Sequence, residues 1–267
     1  MKREPAVADQ FYPADKPSLT RQIESFMKEV EAKEDVMGVV SPHAGYIYSG
    51  RVAGAVFSRI NIPEDVVILG PNHRGYGADC AIMTTGTWNM PHGPVEINST
   101  LAHLMVNNSR YLADDYKAHL HEHSLEVQVP FIQYVRPDFR LVPITMAKAD
   151  FKVCEDIGLA IAKAIRDYGK KVLMVASTDM THYESQKDAE RKDHRAIKKI
   201  LELDAKGLLE TVMAHDISMC GVIPTTIVLV ACKTLGATQA HLIEYATSGD
   251  ITGDYFQVVG YAGLIIK

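Results

Sequence analysis

Short, valine-rich apolar segments alternate along this sequence with longer segments whose apolar positions follow helical spacing. The short segments lie at 36–40, 66–69, 139–144 and 171–176, and each is bounded by turn-forming residues. Strands that alternate with helices of about ten or more residues are joined by βαβ crossovers. The pattern therefore predicts an α/β fold with a largely parallel or mixed central sheet and helices on both faces. Because no shift in composition marks a boundary, we expect one domain over residues 1–267.

The remaining elements follow from the same two periodicities. Further strands are predicted at 80–84, 241–245 and 257–261. Helices are predicted from Ser18 onward and at 49–60, 99–107, 124–135, 151–168, 188–203, 205–215 and 225–235.

The composition excludes several classes of protein. Hydrophobic residues make up 47% of the chain, which leaves ample material for a core, and the net charge is -5 without a basic run. We therefore expect no nucleic-acid partner. The opening stretch "MKREPAVADQFYP" lacks the apolar region of a signal peptide, and no apolar stretch reaches the roughly 18 residues of a membrane helix. The four cysteines show no CxxC spacing, so we expect free thiols and a cytoplasmic location.

Three histidines each follow the end of a predicted strand. His43 ends "GVVSPH", His73 ends "VVILGPNH" and His182 ends "VLMVASTDMTH". Because the carboxyl ends of parallel strands meet at one edge of a sheet, the three side chains can converge there. Asp179 stands three residues before His182. It could orient an imidazole or accept a proton, or it could simply cap a helix or form a turn.

The stretch "HLHEHSLEVQVPF" is a second candidate region. His123 and Glu126 are three residues apart, so they would share a face if the stretch were helical. His119 and His121 are expected on a solvated loop, and Ser124 could cap the helix that follows.

Cys220 is a third candidate, because it precedes an apolar helix that Pro224 would help to start. A thiol near a helix N-terminus can have a lowered pKa and be a better nucleophile or ligand. The alternative is an inert buried thiol, which is our expectation for Cys80, Cys154 and Cys232. For Cys220 the sequence leaves both interpretations open.

These residue types favour a transition-metal site. Two neutral imidazoles with one thiolate or carboxylate suit Fe(II), Zn(II) or Cu, and a further histidine could act as an acid or base. The sequence has no GxSxG, Walker A or HExxH motif and no GxGxxG after a strand. The commonest serine hydrolases, NTPases, dinucleotide enzymes and zincins are therefore disfavoured.

Five motifs in order, "SPHAGYIYSG", "ILGPNH", "HEHSLEVQVPF", "STDMTHY" and "MCG", resemble the Memo family. The resemblance runs from "ADQFYP" to "VGYAG", which is nearly the whole chain. It implies an archaeal or bacterial protein, and such members form the B component of the AMMECR1–Memo–radical-SAM set. It also implies a fold related to the class III extradiol (LigB-type) dioxygenases, in which two histidines and a glutamate hold non-haem Fe(II).

The resemblance implies roles for individual residues. His43, His73 and Cys220 would be the metal ligands, with the cysteine where the dioxygenases have glutamate. Asp179 and His182 would lie behind or facing the metal, with His182 in the position of an acid/base histidine. His123 and Glu126 match a family motif and are kept as further site candidates. Fe(II) is the expected ion, with Zn or Cu as alternatives, and a thiolate ligand would change the redox behaviour of iron.

Three functions remain compatible with these residues. The first is redox or oxygenase-type chemistry on an unknown small molecule in the cleft. The second is a non-enzymatic module that binds a peptide or protein in the same cleft, since animal family members are linked to phosphotyrosine peptides. The third is a zinc-dependent hydrolase. The resemblance also implies a functional link to AMMECR1-like and radical-SAM proteins.

Overall fold

The computed structural model describes all 267 residues, and its strands and helices alternate as expected. The strands are β1 Lys2–Arg3, β2 Gly38–Ser41, β3 Asp65–Pro71, β4 Cys80–Ile82, β5 Thr87–Trp88, β6 Val95–Glu96, β7 Ala113–Asp114, β8 Arg140–Met146, β9 Val172–Ser177, β10 His182–Glu184, β11 Ala240–Thr247 and β12 Val258–Ile266. The α-helices are α1 Lys16–Phe26, α2 Tyr46–Ser58, α3 Ser99–Asn108, α4 Val129–Val135, α5 Phe151–Tyr168, α6 Gln186–Leu201, α7 Ala205–Ala214, α8 Val222–Leu235 and α9 Gly249–Thr252.

Nine strands form the main sheet, in the order β10-β12-β2-β9-β3-β8-β4-β7 with β11 paired to β12. The four central strands β2, β9, β3 and β8 are parallel. β12 runs antiparallel to β2, and β4 runs antiparallel to β8. The predicted α/β class with a mixed sheet is therefore confirmed.

Side chains of the central strands alternate between two cores, one on each face of the sheet. Val40, Val67 and Leu69 belong to a core of 40 buried residues that also includes α5 and α8. Val39 and Val66 belong to a core of 28 buried residues beneath α1, α2 and α4. Burial on both faces explains why these strands read as continuous apolar runs, as is typical of parallel strands.

Two predicted elements differ most from the structure in their bounds. The helix predicted at 124–135 begins as α-helix only at Val129, after a 3₁₀ turn at Glu126–Gln128. Pro130 accounts for this, because proline is tolerated only in the first turn of a helix. The strand predicted at 257–261 extends to Ile266. Gly260 in this strand allows a close approach, since a Cβ there would lie 1.9 Å from Asp193 Oδ2.

Strands β1, β5 and β6 form a separate small sheet that the sequence did not predict, because each has two residues. It holds Arg3 beneath the segment that contains Glu126. The Arg3 guanidinium lies 2.7 Å from Glu126 Oε2 and 4.0 Å from the ring centre of Trp88. Arg3 also donates to the carbonyl oxygens of His119 and Glu122, each at 2.6 Å. Separately, no helix in the structure has the length and apolar character needed to cross a bilayer.

Removal of the Arg3 charge should destabilise the fold strongly. In Arg3→Met the buried Glu126 carboxylate keeps no cationic partner, which typically costs about 3–5 kcal/mol of unfolding free energy. Urea denaturation measures the loss. The matched control is Arg51→Met, because Arg51 pairs with Glu244 at 2.7 Å with half of its side chain exposed. That variant should lose no more than about 1 kcal/mol. Equal losses in the two variants would contradict an anchoring role for Arg3.

Candidate metal site at the carboxyl edge of the sheet

A cleft of about 520 Å³ opens at the carboxyl ends of the parallel strands. His43 follows β2, His73 follows β3, and Asp179 and His182 follow β9. The structure brings these four side chains together in the wall of this one cleft. The remaining lining residues are Phe11, Ala44, Gly45, Tyr48, His123, Tyr183, Ser248, Thr252, Asp254, Gln257, Val259 and Tyr261.

Three imidazoles form the centre of the site. One ring nitrogen from each of His43, His73 and His123 lies within 4.8 Å of the others. The rings of His73 and His123 are stacked with centres 4.6 Å apart, and His43 meets both edge-on. Two of the three come from strand ends, and His123 comes from the loop before the 3₁₀ turn.

The hydrogen bonds around His43 fix which of its nitrogens is free. The Ser177 hydroxyl donates to the Ser124 carbonyl at 2.6 Å and accepts from Gln128 Nε2 at 2.8 Å. Its only hydrogen is thus used, so His43 Nδ1, 3.0 Å away, must be the donor to Ser177. His43 Nε2 therefore carries a lone pair, which is the form that binds a metal.

His73 and His182 are fixed in the same way. Carboxylate and carbonyl oxygens only accept, so His73 Nδ1 donates to Glu122 Oε1 at 2.9 Å. His182 Nδ1 likewise donates to the Ser218 carbonyl at 2.9 Å. In the neutral form of each ring, Nε2 is then the basic nitrogen.

Cys220 lies beside this cluster, at the start of α8. Its Sγ is 3.3 Å from His43 Nε2 and accepts a hydrogen bond from the Asp179 amide at 3.2 Å. Gly221 allows this approach, since a Cβ there would lie 2.4 Å from the Ser177 carbonyl oxygen. Asp179 Oδ1 in turn accepts from the His43 amide at 2.8 Å. The thiol thus contacts one imidazole and is outside the set of three nitrogens.

Burial sets the protonation states of these groups. It lowers the pKa of His43 well below its ordinary value, and it lowers the pKa of His123 to about 4. Burial would raise the pKa of Glu122, but the hydrogen bonds from His73 and the Ser124 amide, with the electrostatic effect of the His73 and His123 rings, together outweigh this and the pKa falls to about 2. Burial also raises the pKa of Asp179 to about 6. At neutral pH the site therefore holds the neutral imidazoles of His43 and His123 beside a Glu122 carboxylate.

The pKa of Cys220 is raised by burial and by the neighbouring Asp179 carboxylate. The idea that the helix N-terminus lowers the pKa of this thiol is therefore wrong for the protein without a bound cation. A metal ion would supply the missing positive charge, because a coordinating thiol is deprotonated.

The residues present fit a transition-metal ion. His43 and His73 offer lone pairs on Nε2, and the ring of His123, whose Nδ1 lies 3.4 Å from Glu122 Oε1 without a hydrogen bond, brings a third nitrogen to the cluster. The spacing of the three nitrogens requires only small side-chain shifts for a shared ion with bonds of about 2.0–2.3 Å. The donor chemistry and the geometry of these residues therefore fit a metal ion.

Other residues singled out from the sequence lie elsewhere. Glu126 is fully buried and faces away from the cleft, where it accepts from the amides of Ala6 and Val7. His119 was expected on a solvated loop, but it is buried, and burial followed by the Arg3 charge lowers its pKa to about 3. His121 is exposed as expected. Ser124 does not cap a helix, because its hydroxyl donates to the Pro71 carbonyl.

Sequence reasoning missed Glu122, which contacts two of the three imidazoles. Helical spacing pairs His123 with Glu126, but the residues just before Glu126 form a non-helical loop. The available signal was the "HEH" pattern itself, in which an acid stands between two histidines. Ser177 was missed because a serine at the end of a strand carries no pattern of its own.

Comparisons with known proteins identify the family of the chain. The Memo-like protein family model matches residues 3–265. A MEMO1 family protein of Methanopyrus kandleri is 44% identical, covering 100% of this chain and 99% of the relative. A MEMO1 family protein of Methanothermobacter thermautotrophicus is 43% identical, covering 99% of this chain and 100% of the relative.

A solved structure supports the fold alone. An uncharacterized protein of Escherichia coli K12 superposes with a TM-score of 0.54 at 12% identity, covering 84% of this chain and 98% of the other. An α/β protein with a histidine-lined cleft at the sheet edge is thus the class that fold and site define. The family match over nearly the full length shows that the chain belongs to the Memo family.

Cys220 should be the first of the four cysteines to react with iodoacetamide. It is partly exposed, whereas Cys80, Cys154 and Cys232 are buried, and access limits a reagent when every thiol has a raised pKa. Peptide mass spectrometry over a time course gives the order. Cys220→Ser should leave no early-reacting thiol. If another cysteine were alkylated first, Cys220 would not be the most accessible thiol of this protein.

Proposed function

We propose that the chain is a non-haem metal enzyme that carries out redox or oxygenase-type chemistry on a small molecule in the cleft. Its ion would be Fe(II), bound by His43, His73 and Cys220. The observation that carries the proposal is the convergence of three imidazole nitrogens at the edge of the sheet, with the Cys220 thiol 3.3 Å from one of them. Nitrogen and sulfur donors of this kind suit iron, zinc and copper, and open positions would suit an iron oxygenase.

Bound iron would supply electron transfer and a position for a small oxidant or substrate. The residues of the chain orient the ligands and supply the group that transfers protons. Ser177 and Glu122 hold His43 and His73 with Nε2 free. His182 lines the same cleft with its Nδ1 held by the Ser218 carbonyl, so its Nε2 is the atom that can take or give a proton. Asp179 holds the His43 backbone in place.

The charge of the cleft favours a small molecule over a phosphorylated peptide. None of the lining residues is a lysine or an arginine, and the cleft includes the carboxylates of Asp179 and Asp254. Phosphotyrosine recognition usually depends on arginine clusters that pair with the phosphate. The aromatic side chains of Phe11, Tyr48 and Tyr183 suit an organic substrate with apolar surface.

Single substitutions should separate ligands from the proton-transfer residue. His43→Ala, His73→Ala and Cys220→Ala should each weaken Fe(II) binding by more than the roughly 10- to 100-fold typical of supporting residues. His182→Ala should keep near-normal Fe(II) affinity, while any turnover falls by about 10² to 10⁴-fold. Anaerobic calorimetric titration with Fe(II) measures the affinities.

His103→Ala is the matched control, because His103 is an exposed histidine on α3. It should bind Fe(II) like the unaltered chain. Equal weakening in His182→Ala and His43→Ala would make His182 a ligand. If protein purified without oxygen contained stoichiometric zinc and showed hydrolysis but no oxygen uptake, the iron proposal would be wrong and the zinc-dependent hydrolase would be supported. If the folded protein bound no metal, both metal enzymes would be excluded and the peptide-binding module would be the remaining function.

Phosphate should not strengthen binding to the metal-free cleft. N-acetyl-phosphotyrosine amide should bind no more tightly than N-acetyl-tyrosine amide, because the cleft offers carboxylates and no cationic side chain. NMR titration of the two probes against metal-free protein makes the comparison. Tighter binding of the phosphorylated probe would favour the peptide-binding alternative over the small-molecule enzyme.

A further inference from the structure

Glu122 is a buried carboxylate that no motif assignment places in the site. Its side chain is 1% exposed. One oxygen, Oε1, accepts from His73 Nδ1 and from the amides of His123 and Ser124, all at 2.9 Å. The other, Oε2, accepts from the His73 amide at 2.5 Å. One side chain therefore holds the ring and backbone of His73 and the backbone of His123.

We propose that Glu122 is the positioning residue of the site, and that it aligns two metal-binding imidazoles, His73 and His123, as a single unit. This inference rests on the proposed metal function and adds His123 to its ligands. The stacked rings of the two histidines support it, since their planes differ by only 18° and their centres are 4.6 Å apart. A ring pair held this way presents its nitrogens in one direction before any ion arrives.

The four contacts of Glu122 require both of its side-chain oxygens to act as hydrogen-bond acceptors. The three backbone amides can only donate, and His73 Nδ1 donates when its Nε2 is free for a metal. A glutamine side chain has one acceptor oxygen and one NH₂ donor. At some of these contacts its NH₂ group would therefore face another N–H donor, and no hydrogen bond could form. With the NH₂ group at the ring, His73 would turn to the other tautomer and place its proton on Nε2, where a metal would bind.

A second carboxylate in the same segment offers a matched comparison. Glu126 is 0% exposed and also accepts from backbone amides, at 2.7 and 3.1 Å. Its partners are Arg3, Tyr12 and the amides near them, and none of them is a cleft residue. A change from carboxylate to amide at Glu126 therefore damages the packing of the segment while it leaves His73 untouched.

The experiment compares Glu122→Gln with Glu126→Gln in the full chain. Nitrogen-15 NMR of the histidine rings in metal-free protein reads the tautomer of His73 directly. The unaltered chain and Glu126→Gln should show His73 protonated on Nδ1, and Glu122→Gln should lose this single form. Titration with Co(II), followed by its visible absorption, should show affinity reduced about 10- to 100-fold in Glu122→Gln and nearly unchanged in Glu126→Gln.

Each alternative outcome has a distinct meaning. The inference would be overturned if Glu122→Gln kept both the His73 tautomer and the Co(II) affinity of the unaltered chain. It would also be overturned if Glu122→Gln and Glu126→Gln lost Co(II) affinity equally, because the loss would then come from general disruption of the segment. His123→Ala that binds Co(II) like the unaltered chain would remove His123 from the unit. If Glu122→Gln does not fold, Glu122→Asp, which keeps the charge and shortens the reach, should still weaken Co(II) binding. Failure of the unaltered chain to bind Co(II) and Fe(II) would sink the proposed function, while the tautomer result still tests Glu122.

Discussion

The parallel arrangement of β2, β9 and β3 is the constraint on which the site depends. β9 lies between the other two strands, with Ser41 in register with Ser177 and Leu69 with Ala176. Three neighbouring strands therefore release their chains at the same edge, within reach of one another. The cores on the two faces hold these strands in place. The loops that follow them carry His43, His73, Asp179 and His182, and Ser177, which orients His43, is the last residue of β9.

The sequence could predict this arrangement where its periodicity is simple. Apolar runs such as 66–69 identified the buried parallel strands, and the strand-end rule placed His43 and His73 together. The position of Cys220 before a helix made it a candidate, but its role as a ligand came only from the family resemblance, because no local pattern shows that the start of α8 touches the end of β9. His123 and Glu122 could not be placed, since their loop follows neither helical nor strand spacing and is held by contacts distant in the sequence.

The segment 119–126 combines two carboxylates with opposite tasks. Glu126 points inward and, with Arg3, fixes the segment to the small sheet, whereas Glu122 points to the cleft and holds His73 and His123. Both are buried, and each is balanced by several donors, as buried charges require. The separation allows the fold to stabilise the loop without taking ligand atoms from the site. The inward position of Glu126 also explains why its helical spacing from His123 did not predict a residue of the cleft.

The Arg3 contact links the site to the order in which the chain is made. The carbonyl of Glu122 that Arg3 binds lies 119 residues further along. At roughly 5–20 residues per second, the guanidinium leaves the ribosome several seconds before its partner is synthesised. The cleft also takes Val259 and Tyr261 from β12, near the other end of the chain. A nascent chain thus cannot place the imidazole cluster within its finished cleft before β12 has been synthesised.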